Sequence, residues 1–193
     1  MRVIGVCGKG GSGKDTVANY LVEEYQFHRV AAADAMKVDL CKYLDMDLKT
    51  LESYKNIKLD LNDNAGNYIG EFSIRRFLQL YGMDMRYRIA DTYWLERSIQ
   101  DKVKELGNTR ITNYIVVSDV RFEIEFDWIK DNGGDVIYVD GRTGLTENQS
   151  KHVSEQFVNT TAKDKCDMVI DNSKSLKNLY DQIEVIMEWQ ESK

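Results

Sequence analysis

A glycine-rich stretch near the start of the chain, GKGGSGKDT at residues 8–16, has residue types that bind phosphate groups. It matches the pattern G-x-x-x-x-G-K-[ST] at Gly8, Gly13 and Lys14. Glycines let such a loop turn tightly with its N–H groups pointing inward, and the lysine reaches the outer phosphates of a nucleotide. The stretch also lies between a predicted strand and a predicted helix, as the motif requires. We therefore expect a polyphosphate site here.

Asp15 occupies the position of the pattern that normally carries a serine or threonine hydroxyl. A carboxylate close to a triphosphate is unfavourable unless a cation lies between them. Mg²⁺ would be such a cation, because carboxylate oxygens are good ligands for it, and Thr16 keeps a hydroxyl available next door. The pattern thus predicts that Asp15 contacts the metal. The alternative is that Asp15 only favours the first helical turn through the helix dipole.

A second candidate cluster is Asp119 and Arg121 in the stretch VVSDVRFEIE. Both lie just past the C-terminal end of a predicted central strand, where ligands bind in open α/β sheets. Asp119 is suited to orient Mg²⁺-bound water or to accept a proton, and Arg121 to clamp the phosphates between which transfer occurs. The structural alternative for Asp119 is a helix cap.

The stretch FSIRRFLQLYGMDMR predicts a helix with a polar side. Arg75 and Gln79 are i, i+4 neighbours on it, and Arg86 continues near that line if the helix resumes after Gly82. An arginine fork suits a phosphate and a glutamine amide suits the edge of a base, so this side is a candidate site for a phosphorylated acceptor. A solvated helix face with paired charges is the alternative.

A fourth candidate segment follows the fourth predicted strand and carries Arg142, Lys151 and His152. In a kinase, a lid at this place would close over the phosphates and exclude water. A plain surface loop is equally compatible with the pattern.

The elements that position these groups are short apolar runs, which alternate with amphipathic stretches along the chain. This alternation is typical of βαβ units with a parallel sheet. We expect caps at Asp91, Ser175 and Gly107, and loops at Lys55–Gly70 and Gly141–Val158. The predicted fold is α/β with three α/β/α layers and a mostly five-stranded parallel sheet. Its predicted strands are Arg2–Cys7, Phe27–Ala33, Tyr114–Ser118, Asp135–Val139 and Met168–Asp171. Its predicted helices are Lys14–Tyr25, Met36–Leu44, Ile74–Tyr81, Thr92–Leu106 and Leu176–Gln190.

Composition limits the class of protein. The 193 residues are 42% hydrophobic and 30% charged, enough to bury one full core in a single domain. A formal net charge of −6 argues against duplex nucleic acid or an anionic membrane as the main partner. The odd number of cysteines, at Cys7, Cys41 and Cys166, favours free thiols in a reducing compartment. No apolar run approaches the ~20 residues of a membrane span, so we expect a cytoplasmic protein.

In their order along the chain, the motifs resemble those of the phage-type deoxynucleoside monophosphate kinases. The matching stretches span residues 8–155 and are GKGGSGKDT, ADAMK, LQLYGMD with Arg86, DTYW, SDVRFEIE and HVSE. The loop of that family also reads GKD, so Asp15 is expected within it. The resemblance implies a P-loop kinase fold over residues 1–193, with an acceptor-binding helical region at about 34–106 and a lid at about 141–158.

The activity implied by the resemblance is transfer of the γ-phosphoryl group of ATP to a deoxynucleoside 5′-monophosphate, with Mg²⁺, giving the diphosphate and ADP. Catalysis would depend on Lys14, Asp119, Arg121 and Arg142. The resemblance places ATP on Gly11, Ser12, Gly13, Lys14, Asp15 and Thr16. It places the acceptor on Asp34, Lys37, Arg75, Arg76, Gln79, Gly82, Arg86, Trp94, Asp119, Arg121 and Glu125.

Other readings of the sequence remain. Kinases of dephospho-coenzyme A or phosphomevalonate would share the loop but would not recognise an acceptor base, so Gln79 and Trp94 discriminate against them. A nucleotide-binding regulatory ATPase would leave the acceptor-side arginines idle. The base preference and the formation of a homodimer stay open.

Overall fold

The computed structural model describes residues 2–107, 114–141 and 153–191. The chain divides into two compact units, Met1–Ala31 with Ile99–Lys193, and Ala32–Ser98. The second unit overlaps the predicted acceptor-binding region, while the single domain over residues 1–193 stays a prediction. No helix in the described residues has the length and apolar character needed to cross a bilayer.

The first unit is built on a five-stranded sheet in the order β2-β5-β1-β6-β7, and every neighbouring pair is parallel. The central strands are apolar on both faces, which is typical of a sheet covered by helices on both sides. The strands of this sheet are β1 Arg2–Cys7, β2 His28–Val30, β5 Tyr114–Val120, β6 Asp135–Gly141 and β7 Met168–Asn172, and the hairpin strands of the second unit are β3 Leu59–Asn62 and β4 Tyr68–Phe72.

Helices cover both faces of this sheet, which makes three α/β/α layers. The described helices are α1 Lys14–Tyr25, α2 Ala33–Leu44, α3 Leu48–Tyr54, α4 Ile74–Arg88, α5 Tyr93–Leu106, α6 Glu123–Asp131, α7 Val153–Thr160, α8 Ala162–Lys165 and α9 Leu176–Glu191. On one face, α1 and α9 pack on Ile4 and Val6 of β1. On the other, α6 comes so close that a Cβ at Gly5 would lie 2.7 Å from Ile129 Cδ1.

The second unit has its own small core, formed by Leu40, Leu51, Ile74 and Leu78. Its β3–β4 hairpin turns at Asp63, whose carboxylate accepts the N–H groups of Ala65 and Asn67 at 2.9 and 2.8 Å. The hydrogen bond from the side-chain amide of Asn67 and, after it, these backbone bonds lower the pKa of Asp63.

The structure confirms the five predicted strands and five predicted helices, and the ends of all but β1 and α1 are shifted. Strand β2 stops at Val30 because α2 already begins at Ala33, and α4 continues through Gly82 to Arg88. Ser175 caps α9, because its hydroxyl accepts the N–H group of Asn178. Asp91 is wrong as a cap, because α5 begins one residue later than predicted and the residue before its first one is Thr92. Gly107 has the left-handed φ of 69° expected after a helix.

Both predicted loops need correction. Lys55–Gly70 contains β3 and the start of β4, because alternating residues such as Leu59 and Leu61 pair with the returning strand. Gly141–Val158 includes most of α7 from Val153 onward.

Candidate active site

The phosphate loop joins β1 to α1 and depends on its glycines. Gly8, Gly11 and Gly13 have φ of 146°, 81° and 104°, a region that L side chains rarely adopt. A Cβ on Gly8 would lie 2.6 Å from the carbonyl oxygen of Val139 and 2.7 Å from Ser12 Oγ. The backbone therefore requires glycine at these turns for conformational and spatial reasons, and the predicted strand, loop and helix context is confirmed.

The ends of β6 and β7 support this loop from behind. Asn172 Nδ2 donates a hydrogen bond to the backbone oxygen of Ser12 at 2.8 Å, and a Cβ on Gly141 would collide with the same oxygen. Sequence reasoning did not identify Asn172, since it is 160 residues away along the chain and carries no motif. Its position at the end of a predicted strand was the available signal.

Lys14 is folded into the loop. Its ammonium donates to the backbone oxygens of Gly8 at 2.8 Å and Lys9 at 3.0 Å, and lies 3.6 Å from Asp119 Oδ1. With 7% of the residue exposed, the charge is held among polar atoms of the loop. A phosphate that entered the loop would meet this charge together with the N-terminus of α1.

A bulge near the end of β5 presents Asp119 next to the loop. Between Gly5 and Cys7 of β1, the paired strand β5 advances from Val117 to Val120 and so holds one extra residue. Bulges re-aim side chains and are frequent beside active sites. Asp119 is thereby within ion-pair distance of Lys14, as given above, and Arg121 Nε donates to Asp119 Oδ2 at 2.7 Å.

Glu125 fixes the backbone that follows Asp119. It is buried, and its Oε2 accepts the N–H groups of Arg121 at 2.9 Å and Phe122 at 3.1 Å. Its predicted contact with the acceptor stays a prediction. The bonds show that the carboxylate positions Arg121 at the start of α6.

Two buried polar atoms of this cluster are suited to contact a ligand. Ser12 Oγ and Asp119 Oδ1 are buried and make no hydrogen bond within the described residues. Buried polar atoms need partners, so these fit a phosphate oxygen and a hard cation such as Mg²⁺. No three His, Cys, Asp or Glu side chains gather into a metal site in the described part of the chain. Ligands from the nucleotide and water would therefore have to complete the coordination.

Asp15 is placed differently from Asp119. Its side chain is 77% exposed and makes an ion pair with Arg29 of β2. The predicted metal contact of Asp15 stays a prediction, and the carboxylate already has a cationic partner.

In the second unit, several predicted acceptor residues lie on α2 and α4. Lys37 pairs with Glu52 at 2.8 Å and lies 4.0 Å from Asp34 on its own helix. Arg75 Nε donates to Asn56 Oδ1 at 2.7 Å. The exposed members on α4 are Arg75, Arg76 and Gln79, while Arg86 is half-buried on the same continuous helix.

Trp94 is buried within the second unit, and its predicted contact with the acceptor stays a prediction. Only 3% of the residue is exposed, its indole N–H donates to the carbonyl of Gly82 at 3.2 Å, and the rings of Tyr81 and Tyr93 pack against it edge-on. Gly82 is buried beneath Met36 as the partner of Trp94. Both residues therefore pack the unit.

The predicted lid residues Arg142, Lys151 and His152 lie outside the described residues. The catalytic role of Arg142 and the lid stay predictions.

Known proteins that are similar to this chain include kinases, in agreement with a phosphate loop between β1 and α1. The family model for deoxynucleotide monophosphate kinase matches residues 43–183. The chain belongs to the deoxynucleotide monophosphate kinase family. A provisionally named member from Acanthamoeba polyphaga mimivirus is 30% identical over 190 residues, which is 95% of this chain and 94% of that protein.

A second member of the kinase family, from Escherichia phage RB69, is 31% identical over 146 residues. The match covers 75% of this chain and 54% of the phage protein. Among solved structures, TT1252 from Thermus thermophilus is 16% identical and has a TM-score of 0.52, with 96% of each chain covered. This structural likeness supports the fold. The chain is thus a kinase of this family with a P-loop and three α/β/α layers.

Proposed function

We propose that this kinase transfers the γ-phosphoryl group of ATP to the 5′-phosphate of a deoxynucleoside monophosphate, giving ADP and the deoxynucleoside diphosphate. The observation that carries the proposal is the cluster of Lys14, Asp119 and Arg121 at the phosphate loop, in a chain of this family. The glycine loop and the helix terminus support phosphate binding, and the charged cluster supports a reaction between two phosphates.

The residues of the loop would bind the donor. Backbone N–H groups of residues 11–16 and the N-terminus of α1 favour the β- and γ-phosphates. Lys14 would exchange its present bonds with the carbonyls of Gly8 and Lys9 for the incoming phosphate oxygens. Mg²⁺, when bound with ATP, neutralises charge on those phosphates, and Asp119 is the residue best placed to hold it, with Thr16 and Asp15 as further candidates.

The transfer itself needs charge neutralisation rather than a strong base. An oxygen of the ionised acceptor phosphate forms the new bond to the γ-phosphorus as the bond to the β-phosphate oxygen breaks. Arg121 would clamp both phosphates, and Arg142 would join it. Glu125 would keep Arg121 in place through the backbone bonds described above. Gln79 would contact the base, and Arg75, Arg76 and Arg86, with Asp34 and Lys37, would hold the acceptor.

The proposal is tested with a panel of acceptors. Deoxynucleoside and ribonucleoside monophosphates, dephospho-coenzyme A and phosphomevalonate are each added to the purified protein with MgATP, and acceptor-dependent ADP release is measured. We expect at least one deoxynucleoside monophosphate to stimulate ADP release. Dephospho-coenzyme A and phosphomevalonate should not stimulate it. The variant Lys14→Ala is the control and should abolish the signal. Stimulation by phosphomevalonate or dephospho-coenzyme A alone, or by no acceptor, would contradict the proposal.

A further inference from the structure

Arg29 on β2 bridges two residues of α1 that are one helical turn apart. Its Nη2 pairs with the carboxylate of Asp15, and its Nη1 donates to Asn19 Oδ1 at 3.0 Å. The two bonds use separate nitrogens of the planar guanidinium, so the fork is fixed at both ends. Arg29 matches no motif in the sequence and has no role in the proposed chemistry.

Asp15, the partner of Arg29, lies at the N-terminus of a helix, where the charge of a side chain affects the binding of an anion. Asp15 is the second residue of α1, directly after Lys14 and in the helical turn whose N–H groups favour an anion. A bound triphosphate would use the same helix terminus. Two anions at one helix terminus repel each other unless a cation offsets one of them. A loop with the usual hydroxyl at this position has no such conflict.

We propose that Arg29 is a positioning residue that neutralises Asp15 and so lets a loop of the GKD type bind a triphosphate. The inference rests on the proposed function in one respect, that the loop binds ATP. Arg29 acts through Asp15, without touching the nucleotide. The charge of Asp15 is then a cost to nucleotide binding that appears only when Arg29 is removed.

Binding of ATP measured by calorimetry in EDTA tests this without turnover or metal. We expect Arg29→Gln to weaken ATP binding about fivefold, the size of a good exposed ion pair, and the loss to shrink in high salt. Asp15→Asn keeps a hydrogen-bond acceptor for Arg29 but removes the charge, so it should bind ATP at least as tightly as the wild type. The double variant, which has both substitutions, carries the same summed charge at this place as the wild type and should therefore bind ATP about as tightly as the wild type.

A matched control separates this local effect from net charge. Lys102→Gln breaks the ion pair with Glu105 on α5 and removes one positive charge, as Arg29→Gln does, and should leave ATP affinity unchanged. A merely structural ion pair predicts that Asp15→Asn weakens ATP binding as Arg29→Gln does. A direct contact between Arg29 and phosphate predicts that the double variant binds ATP more weakly than the wild type. Either result overturns the proposal, as does unchanged binding by Arg29→Gln. Failure of the wild type to bind ATP would contradict the proposed function as well.

Discussion

Arg121 is the residue whose substitution best separates catalysis from folding. Its side chain is about one-third exposed and pairs with Asp119, so its loss removes no core packing. We expect Arg121→Ala to lower kcat by about 100-fold or more, the usual effect of removing a group that neutralises charge in the transition state. The free energy of unfolding should fall by less than about 1 kcal/mol, as for other partly exposed ion pairs. Steady-state kinetics and urea unfolding of the same preparation measure both.

The control for Arg121 is Arg88→Ala, which breaks the exposed ion pair with Asp84 on α4 and should leave kcat near the wild-type value. Near-normal turnover of Arg121→Ala would remove this arginine from the mechanism.

Trp94 is expected to act on stability. Trp94→Phe removes the indole N–H that satisfies the carbonyl of Gly82 and leaves space between Tyr81 and Tyr93. We expect the free energy of unfolding to fall by about 1–3 kcal/mol. The KM for the deoxynucleoside monophosphate should stay within about twofold of the wild-type value. Gln79 lies at an exposed position, so Gln79→Leu should raise this KM and leave the free energy of unfolding nearly unchanged. A large KM increase for Trp94→Phe without loss of stability would contradict this structural role and support the predicted acceptor contact.

At the scale of elements, the contact between α1 and α9 should be sensitive to alkali. Tyr20 donates to Glu184 at 2.7 Å and stacks on Tyr180 at 4.1 Å. The hydrogen bond to Glu184 and, after it, burial raise the pKa of Tyr20 from 10.0 to about 12. The folded state thus favours the neutral phenol. Its stabilising contribution is complete below pH 10, the ordinary pKa, and is lost as the pH rises towards 12.

We therefore expect the difference in unfolding free energy between the wild type and Tyr20→Phe to shrink between about pH 10 and pH 12. Urea unfolding at several pH values measures it. Tyr43→Phe is the control, because 84% of that residue is exposed, and its difference from wild type should stay flat. A pH-independent difference for Tyr20→Phe would show that its ionisation is not linked to folding.

Elements were predictable from the sequence where local signals agreed. Helix α1 and strand β1 have the predicted bounds because an apolar strand, a glycine turn and a regular helical period follow one another there. The β3–β4 hairpin was missed because its strands are short and largely exposed, so Leu59 and Tyr68 give only a weak alternation. The pair of Asp15 with Arg29 and the bond of Asn172 to Ser12 depend on how distant elements meet, which a local pattern does not contain.

At the scale of the whole molecule, an acidic protein must bind two anionic nucleotides. The formal net charge is −6, so the overall field does not attract them. Attraction has to come from local groups. The first unit offers Lys14, Arg121 and the loop N–H groups, and the second offers the arginines of α4. We therefore expect ATP binding to depend on groups of the first unit, and the arginines of α4 in the second unit to contribute to acceptor binding.

Hydrogen exchange tests that allocation. A ligand slows the exchange of amides whose opening it prevents, by about 100-fold when present at about 100 times its Kd. We expect ATP to protect amides of residues 8–16, and a deoxynucleoside monophosphate to protect amides of α4. The deoxynucleoside without its phosphate is the matched control and should protect neither, because the arginines would have no anion to hold. Protection by the monophosphate confined to residues 8–16, with α4 unchanged, would contradict the acceptor role of the second unit.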